Sequence, residues 1–190
     1  MISVVPEPVF RYHPDPLATG SAVRSDHVCS VCGLHRDVRH KGPIYGRQPD
    51  SLCLHCIRSG EAATALGTVA SGLDGGMNAQ FNDAIDVPDD VPLHIVEEVT
   101  QRTPGFYGWQ QPSWLYHCGD AAAFLGPAGY SDLETFPDAL DMVRDSCQQL
   151  GWSRQETEAF LHQLDRASEP TAYLFQCVHC GAHLASWDTG

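Results

Sequence analysis

Apolar positions in this chain fall into short periodic runs separated by long polar stretches. "PLHIVEEVTQR", residues 92–102, repeats at helical spacing, with Asp89 or Asp90 placed to cap it and Leu93, Val96 and Val99 or Thr100 on one face. It ends before Pro104-Gly105, a pair that suits the centre of a type II turn. In "DLETFPDALDMVRDSCQQLG", Leu140, Val143, Cys147 and Leu150 form a second apolar stripe. "SRQETEAFLHQLDRAS" opens on a capping box, Ser153 with Glu156, pairs Phe160 with Leu164, and is expected to run until Pro170 stops it. "RDVRHKGPIYG" alternates loosely and breaks at Gly42-Pro43, as a short hairpin would, and "CLHCIRSGEAATALG" reads as one helix despite Gly60. "YLFQCVHCGAHLASW" is two β-leaning runs around a tight loop at Gly181. Residues 67–90 show no period and read as a long connection.

The cysteines change this picture. Six of eight form CxxC pairs: Cys29 with Cys32, Cys53 with Cys56, and Cys177 with Cys180. The first two pairs are twenty residues apart, at the edge of the spacing for a four-thiolate zinc site. Gly33 supplies the cheap positive φ that a knuckle needs after its second thiol. Knuckle, hairpin, and a helix whose first turn supplies two ligands make a treble-clef arrangement, a closed site that holds the fold. The third pair supplies only two ligands. Cys147 belongs to its helix stripe, as a small hydrophobe, which leaves Cys118 as third ligand. The fourth position is open between His117, Asp120, His183 and water, with His117 preferred. Neighbours on a strand face opposite ways, which counts against His117 unless "HCGD" forms a turn. One zinc ion is expected and two are possible.

The predicted class is therefore α+β, treble-clef and zinc-ribbon type hairpins packed with several short α-helices. The chain reads as one domain over 1–190: a zinc module at 24–66, a connection and helix over 67–102, and a helical segment over 103–190 closed by the last hairpin.

Charge narrows the partners. Acidic residues outnumber basic ones 24 to 11, the formal net charge is −13, and Lys41 is the only lysine. Such a surface repels phosphate backbones, so no nucleic-acid ligand is expected, and a basic protein is the natural partner. Zinc thiolates deepen the charge, since a four-thiolate centre leaves about −2 and a three-thiolate centre about −1. No run has the roughly 20 apolar residues of a membrane span, and "MISVVPEPVF" lacks the features of a signal peptide, so a cytoplasmic protein with reduced thiols is expected.

With the three CxxC pairs placed, "RTPGFYGWQQPSWLYHCGD" and "FRYHPDPLATG" resemble the CbrC family of bacterial proteins, which has three CxxC motifs. The resemblance spans nearly the whole chain. It implies a link to tolerance of a DNase colicin, hence immunity to a basic nuclease toxin through binding the toxin or a host factor. Within that block, Trp109 and Trp114 are core seams or partly exposed anchors. Arg102 pairs with Asp120 inside the fold or faces a carboxylate. Together Arg102, Trp109, Trp114 and Asp120 form the candidate partner surface.

Two catalytic readings compete with a binding role, and no catalytic residue is assigned. An open zinc at Cys118, Cys177 and Cys180 would activate water. It lacks the deaminase signature: "HIVE" is one residue too long, and Gln176 stands where proline belongs. "CLHC" at a helix start has the layout of a disulfide oxidoreductase, but the upstream pair competes for its sulfurs. His13 and Asp15, between prolines, read as a surface turn rather than an acid/base pair.

Overall fold

A strand occupies "AVRSDHV", where the sequence showed no clear alternation. The structure is a computed structural model describing residues 6–67 and 77–190, so residues 68–76 of the expected connection lie outside the described residues. The chain divides into two compact units, Met1–Ala84 with Leu93–Tyr107, and Ile85–Pro92 with Gly108–Gly190. Both are built of antiparallel strands and short helices, the α+β class expected. Among the described residues, no helix is long and apolar enough to cross a membrane.

In the first unit, β1 (Ala22–Val28) pairs antiparallel with β2 (His35–His40), from Ala22 opposite His40 to Val28 opposite His35. The hairpin therefore closes over the first CxxC knuckle, not within residues 36–46 as the sequence suggested. Four consecutive polar residues, Arg24 to His27, hid it, and only Ala22 of that strand is buried. The expected single helix is two, α1 (Leu54–Ser59) and α2 (Glu61–Ala65), broken at Gly60 with φ 83. There the amide of Gly60 closes α1 onto the Ile57 carbonyl, a left-handed cap that glycine adopts without a Cβ penalty.

Helix α3 (Leu93–Arg102) buries Ile95, Val99 and Thr100, while Leu93 is 71% exposed, so its inward face is rotated from the one expected. Residues expected to be connection help hold it. Phe81 is fully buried and donates its amide to the Thr100 carbonyl, and the Asn82 side-chain amide donates to the carbonyls of Val99 and Thr103. Gly105 has no positive φ, so Pro104-Gly105 is not a type II turn. Glycine stands there because a Cβ would collide with the Phe81 carbonyl oxygen. Phe10, Leu52, Ile57 and Phe81 lead this core, each buried side chain worth about 1.5–3 kcal/mol.

The second unit is a four-stranded sheet in the order β3 (Tyr116–His117), β4 (Asp120–Ala128), β5 (Thr171–Cys177), β6 (His183–Asp188). β5 is buried on both faces. Ala172 and Leu174 join Ala128 and Ala185 under α5 (Pro137–Gln149) and α6 (Arg154–Leu161), whose Val143, Cys147, Phe160 and Leu161 complete that core. Phe175 instead packs with Phe124 and Trp114 at ring-centre distances of 5.2 and 5.5 Å. Helix α4 (Tyr130–Leu133) precedes α5, which starts afresh at Pro137. The Ser153–Glu156 capping box forms as expected. α6 nevertheless ends at Leu161, far short of Pro170, and Leu150 is 64% exposed at the end of α5.

Candidate metal centres

Four sulfurs converge in the first unit. Cys29 and Cys32 lie in the loop between β1 and β2, which the amide of Gly33 folds back by donating to the Cys29 carbonyl at 2.9 Å. Cys53 precedes α1 in extended conformation, Cys56 lies in its first turn, and a bridge from Arg39 to Cys53 ties that helix start to β2. The four Sγ atoms lie within 4.8 Å of one another, with Cys29 to Cys56 at 3.8 Å and Cys32 to Cys53 at 4.0 Å. A tetrahedral ion with metal–sulfur bonds near 2.3 Å spaces its sulfurs by roughly 3.8 Å, so the tetrad fits a four-thiolate ion.

The second tetrad uses the turn that the sequence left open. β3 and β4 are joined by Cys118 and Gly119 alone, at φ 56 and φ 68, with His117 opposite Asp120. Positive φ at both residues is the geometry of a type I′ turn, and it removes the strand alternation that would have separated His117 from Cys118. Cys177 ends β5, and the loop to β6 repeats the first knuckle, Gly181 donating to the Cys177 carbonyl at 3.1 Å. His117 Nδ1 stands 3.2 Å from Cys118 Sγ and 3.5 Å from Cys180 Sγ, and the four ligand atoms lie within 4.8 Å of one another.

Charge in both clusters favours a cation. Burial raises the Cys29 thiol, but the amides of Cys32, Cys53 and Val31 outweigh it and bring it down to about 7. Cys53 is pushed up to about 11 by burial, with the charge on Cys29 adding to it, and burial and Cys53 raise Cys56 further. In the second cluster burial also raises Cys177, yet the amides of Cys180 and His179 and the His117 ring bring it down to about 6. Desolvation and the sulfurs of Cys180 and Cys177 push Cys118 up to about 11. One thiolate thus opposes the next, and a divalent cation reverses that opposition.

The other candidate ligands are engaged elsewhere. Asp120 is buried, its Oδ2 bonded to His179 Nε2 at 2.7 Å and its Oδ1 accepting the Ala121 amide. His183 donates its amide to Asp138 and stacks on Phe136, ring centres 4.3 Å apart. Cys147 is fully buried among apolar side chains and belongs to neither tetrad.

Of the residues of the expected partner surface, Arg102 belongs to the first unit and Trp109, Trp114 and Asp120 to the second. Trp114 is 2% exposed and donates its indole N–H to the Ala122 carbonyl, so it is core. Trp109 is half-exposed, with its N–H on Thr171 Oγ1. Arg102 pairs with Glu98, one turn earlier on α3, and Asp120 pairs with His179, each within its own unit. His13 is buried instead of lying on a surface turn. The Pro104 carbonyl takes the proton of its Nδ1 at 2.7 Å, and Thr19 Oγ1 lies 2.7 Å from Nε2.

A family model described as "Uncharacterised protein family (UPF0167)" matches residues 7–189. This chain belongs to UPF0167. It is 46% identical over 184 residues to "UPF0167 protein Mb2317" of Mycobacterium bovis, covering 95% of this chain and 92% of that one. It is also 35% identical over 180 residues to "UPF0167 protein PA1536" of Pseudomonas aeruginosa, covering 93% of each. No solved structure matches. The resemblance set out from the CxxC pairs is met at the level of UPF0167, the name these relatives bear.

Two side chains beside the tetrads escaped the sequence reading. Arg36 lies against the Cys32 and Cys53 sulfurs, which raise its guanidinium against the lowering effect of burial. Period two along β2 places it on the same side as the buried Val38 and His40, a signal that a hairpin over 36–46 would hide. His179, between the last two cysteines, is fixed by Asp120.

Proposed function

We propose that this UPF0167 member is a cytoplasmic zinc protein without a catalytic centre, in which two closed zinc ions hold a treble-clef module at 24–66 and a zinc-ribbon hairpin at the C-terminus. Its acidic surface receives a basic protein. The observation behind this reading is the pair of tetrads, each offering four ligand atoms within 4.8 Å of one another. With His117 as the fourth ligand beside Cys118, Cys177 and Cys180, no position is left for water, which favours a closed centre over an open catalytic one. The six CxxC sulfurs are then committed to metal, which weighs against redox work by "CLHC".

Filling both centres takes the net charge from −13 to roughly −16. A partner with a basic face, such as the nuclease toxin that the CbrC resemblance suggests, would be steered by that field. A purified DNase-colicin nuclease domain is the probe. Its association rate with the zinc-loaded protein should fall at least about tenfold between low and physiological salt, because screening shortens the reach of the field. No binding, or a rate indifferent to salt, overturns the partner assignment.

A further inference from the structure

The two tetrads differ in what water can reach. In the first, Cys29, Cys53 and Cys56 are at most 2% exposed, and only Cys32 is partly open. The Cys53 amide donates to Cys29 Sγ at 3.4 Å, and the Arg36 guanidinium lies against Cys32 and Cys53. Both contacts draw electron density from the sulfurs, and burial leaves Cys32 as the one sulfur of this tetrad that an oxidant can approach. In the second, Cys118 and Cys180 are exposed and so is His117, while Cys177 is buried. Cys177 Sγ is held by the His179 amide at 3.5 Å and lies 3.9 Å from the His117 carbonyl. The two open sulfurs share one neighbour, His117 Nδ1, at 3.2 and 3.5 Å. They come from the tips of two different hairpins, the β3–β4 turn and the β5–β6 knuckle.

We propose that Cys118 and Cys180 form an oxidation site at which hydrogen peroxide or a small hydroperoxide converts the second tetrad into a disulfide, with loss of its metal. The metal part rests on the zinc reading above; the disulfide part does not. Cys118 Sγ attacks one peroxide oxygen, the O–O bond breaks, and the departing hydroxide takes a proton to become water. Cys118 is then a sulfenic acid. Cys180 Sγ attacks the Cys118 sulfur, the S–O bond breaks, and a second hydroxide leaves and is protonated. Two thiolates have given up two electrons, one peroxide has become two waters, and one S–S bond has replaced two metal–sulfur bonds. His117 and Cys177 alone are a poor set for a divalent ion, so the metal leaves. The first tetrad offers one partly open sulfur, Cys32, with its three partners buried, so it keeps its four thiolates under the same exposure.

The experiment treats the protein, as purified, with a small excess of hydrogen peroxide. Metal is counted beforehand, zinc release is followed with a colorimetric chelator, and disulfides are mapped by mass spectrometry after alkylation. One equivalent of zinc should leave at least about tenfold faster than the other, together with a Cys118–Cys180 disulfide. Cys118→His keeps a ligand but removes the sulfur, so it should still hold two zinc ions and release the second-site ion several-fold more slowly. Release of both ions at one rate, first-tetrad disulfides forming alongside, or unchanged release from Cys118→His would overturn the proposal. A second site empty before peroxide would overturn the zinc reading instead. The disulfide map would then decide the oxidation site alone.

Discussion

Cys53→Ser is expected to unfold the first unit, with loss of amide protection along Ala22–Val28 and His35–His40. Cys53 is fully buried, lies beside the Cys29 sulfur and is bridged to β2 through Arg39. Serine nearly preserves the volume but is a poor zinc ligand. Binding of a structural zinc contributes about 10–16 kcal/mol to folding in small modules, while whole domains are stable by about 5–15 kcal/mol. Its loss therefore removes as much stability as the unit has. A chelator strong enough to strip the first tetrad should give the same loss of protection. Cys147 is the control, being as completely buried but packed in the apolar cluster under α5 and α6 and outside both tetrads. Cys147→Ala should cost about 1–3 kcal/mol, the price of a small cavity, and leave the metal in place. If hydrogen exchange showed Cys53→Ser as mild as Cys147→Ala, the first tetrad would not be a metal centre.

Acid should destabilise the same unit through two histidines that are not part of the tetrad. Desolvation lowers His13 and His40 from the usual 6.5 to about 4. Around His13, the Pro104 carbonyl and Asp15 oppose that shift; around His40, the Pro43 carbonyl and Ser21 oppose it while His13 reinforces it. An unfolded chain takes up these protons near pH 6.5, and the folded one refuses them until about pH 4. Inside that window the unfolded state binds more protons, so stability is complete above pH 6.5 and declines as the pH falls toward 4. Each ring contributes about 3 kcal/mol at most. Thiolate ligands also take up protons in acid, so a variant must isolate the rings. His40→Phe keeps an aromatic ring against Phe81, where the two ring centres are 5.7 Å apart, and removes one titration. Urea unfolding of this variant should lose less stability between pH 7 and 5 than the natural protein does. Parallel pH curves for the two proteins would rule out this role for His40.

How much of this was legible in the chain depends on what fixed each element. The knuckles were readable because two thiols, their spacing and a following glycine are local requirements of one loop. The start of α6 was readable for the same reason, since Ser153 and Glu156 satisfy each other's amides within one turn. β1 and β4 were not. β1 buries only Ala22, and its alternation is between half-covered and exposed polar residues. β4 is rich in alanine, whose intrinsic preference is helical; it is a strand because it pairs with both β3 and β5. Gly60 ended a helix that composition alone would continue, and Gly105 answers a carbonyl twenty-four residues away in sequence.

At the candidate sites, seven cysteines came from arithmetic, but the meeting of His117 with Cys118 depended on a turn that Gly119 permits and that Cys118, at φ 56, does not favour. Arg102 has a partner on its own helix, Glu98 at i−4, a local pairing that the sequence also offered but that the longer-range pair drew attention away from.

Metal content per chain, measured on protein purified without added zinc and again on Cys118→Ser, tests the central claim most directly. Two independent centres predict two zinc ions in the natural protein and one in the variant. One zinc ion in both would mean that the second hairpin folds without metal and that Cys118 is not a ligand.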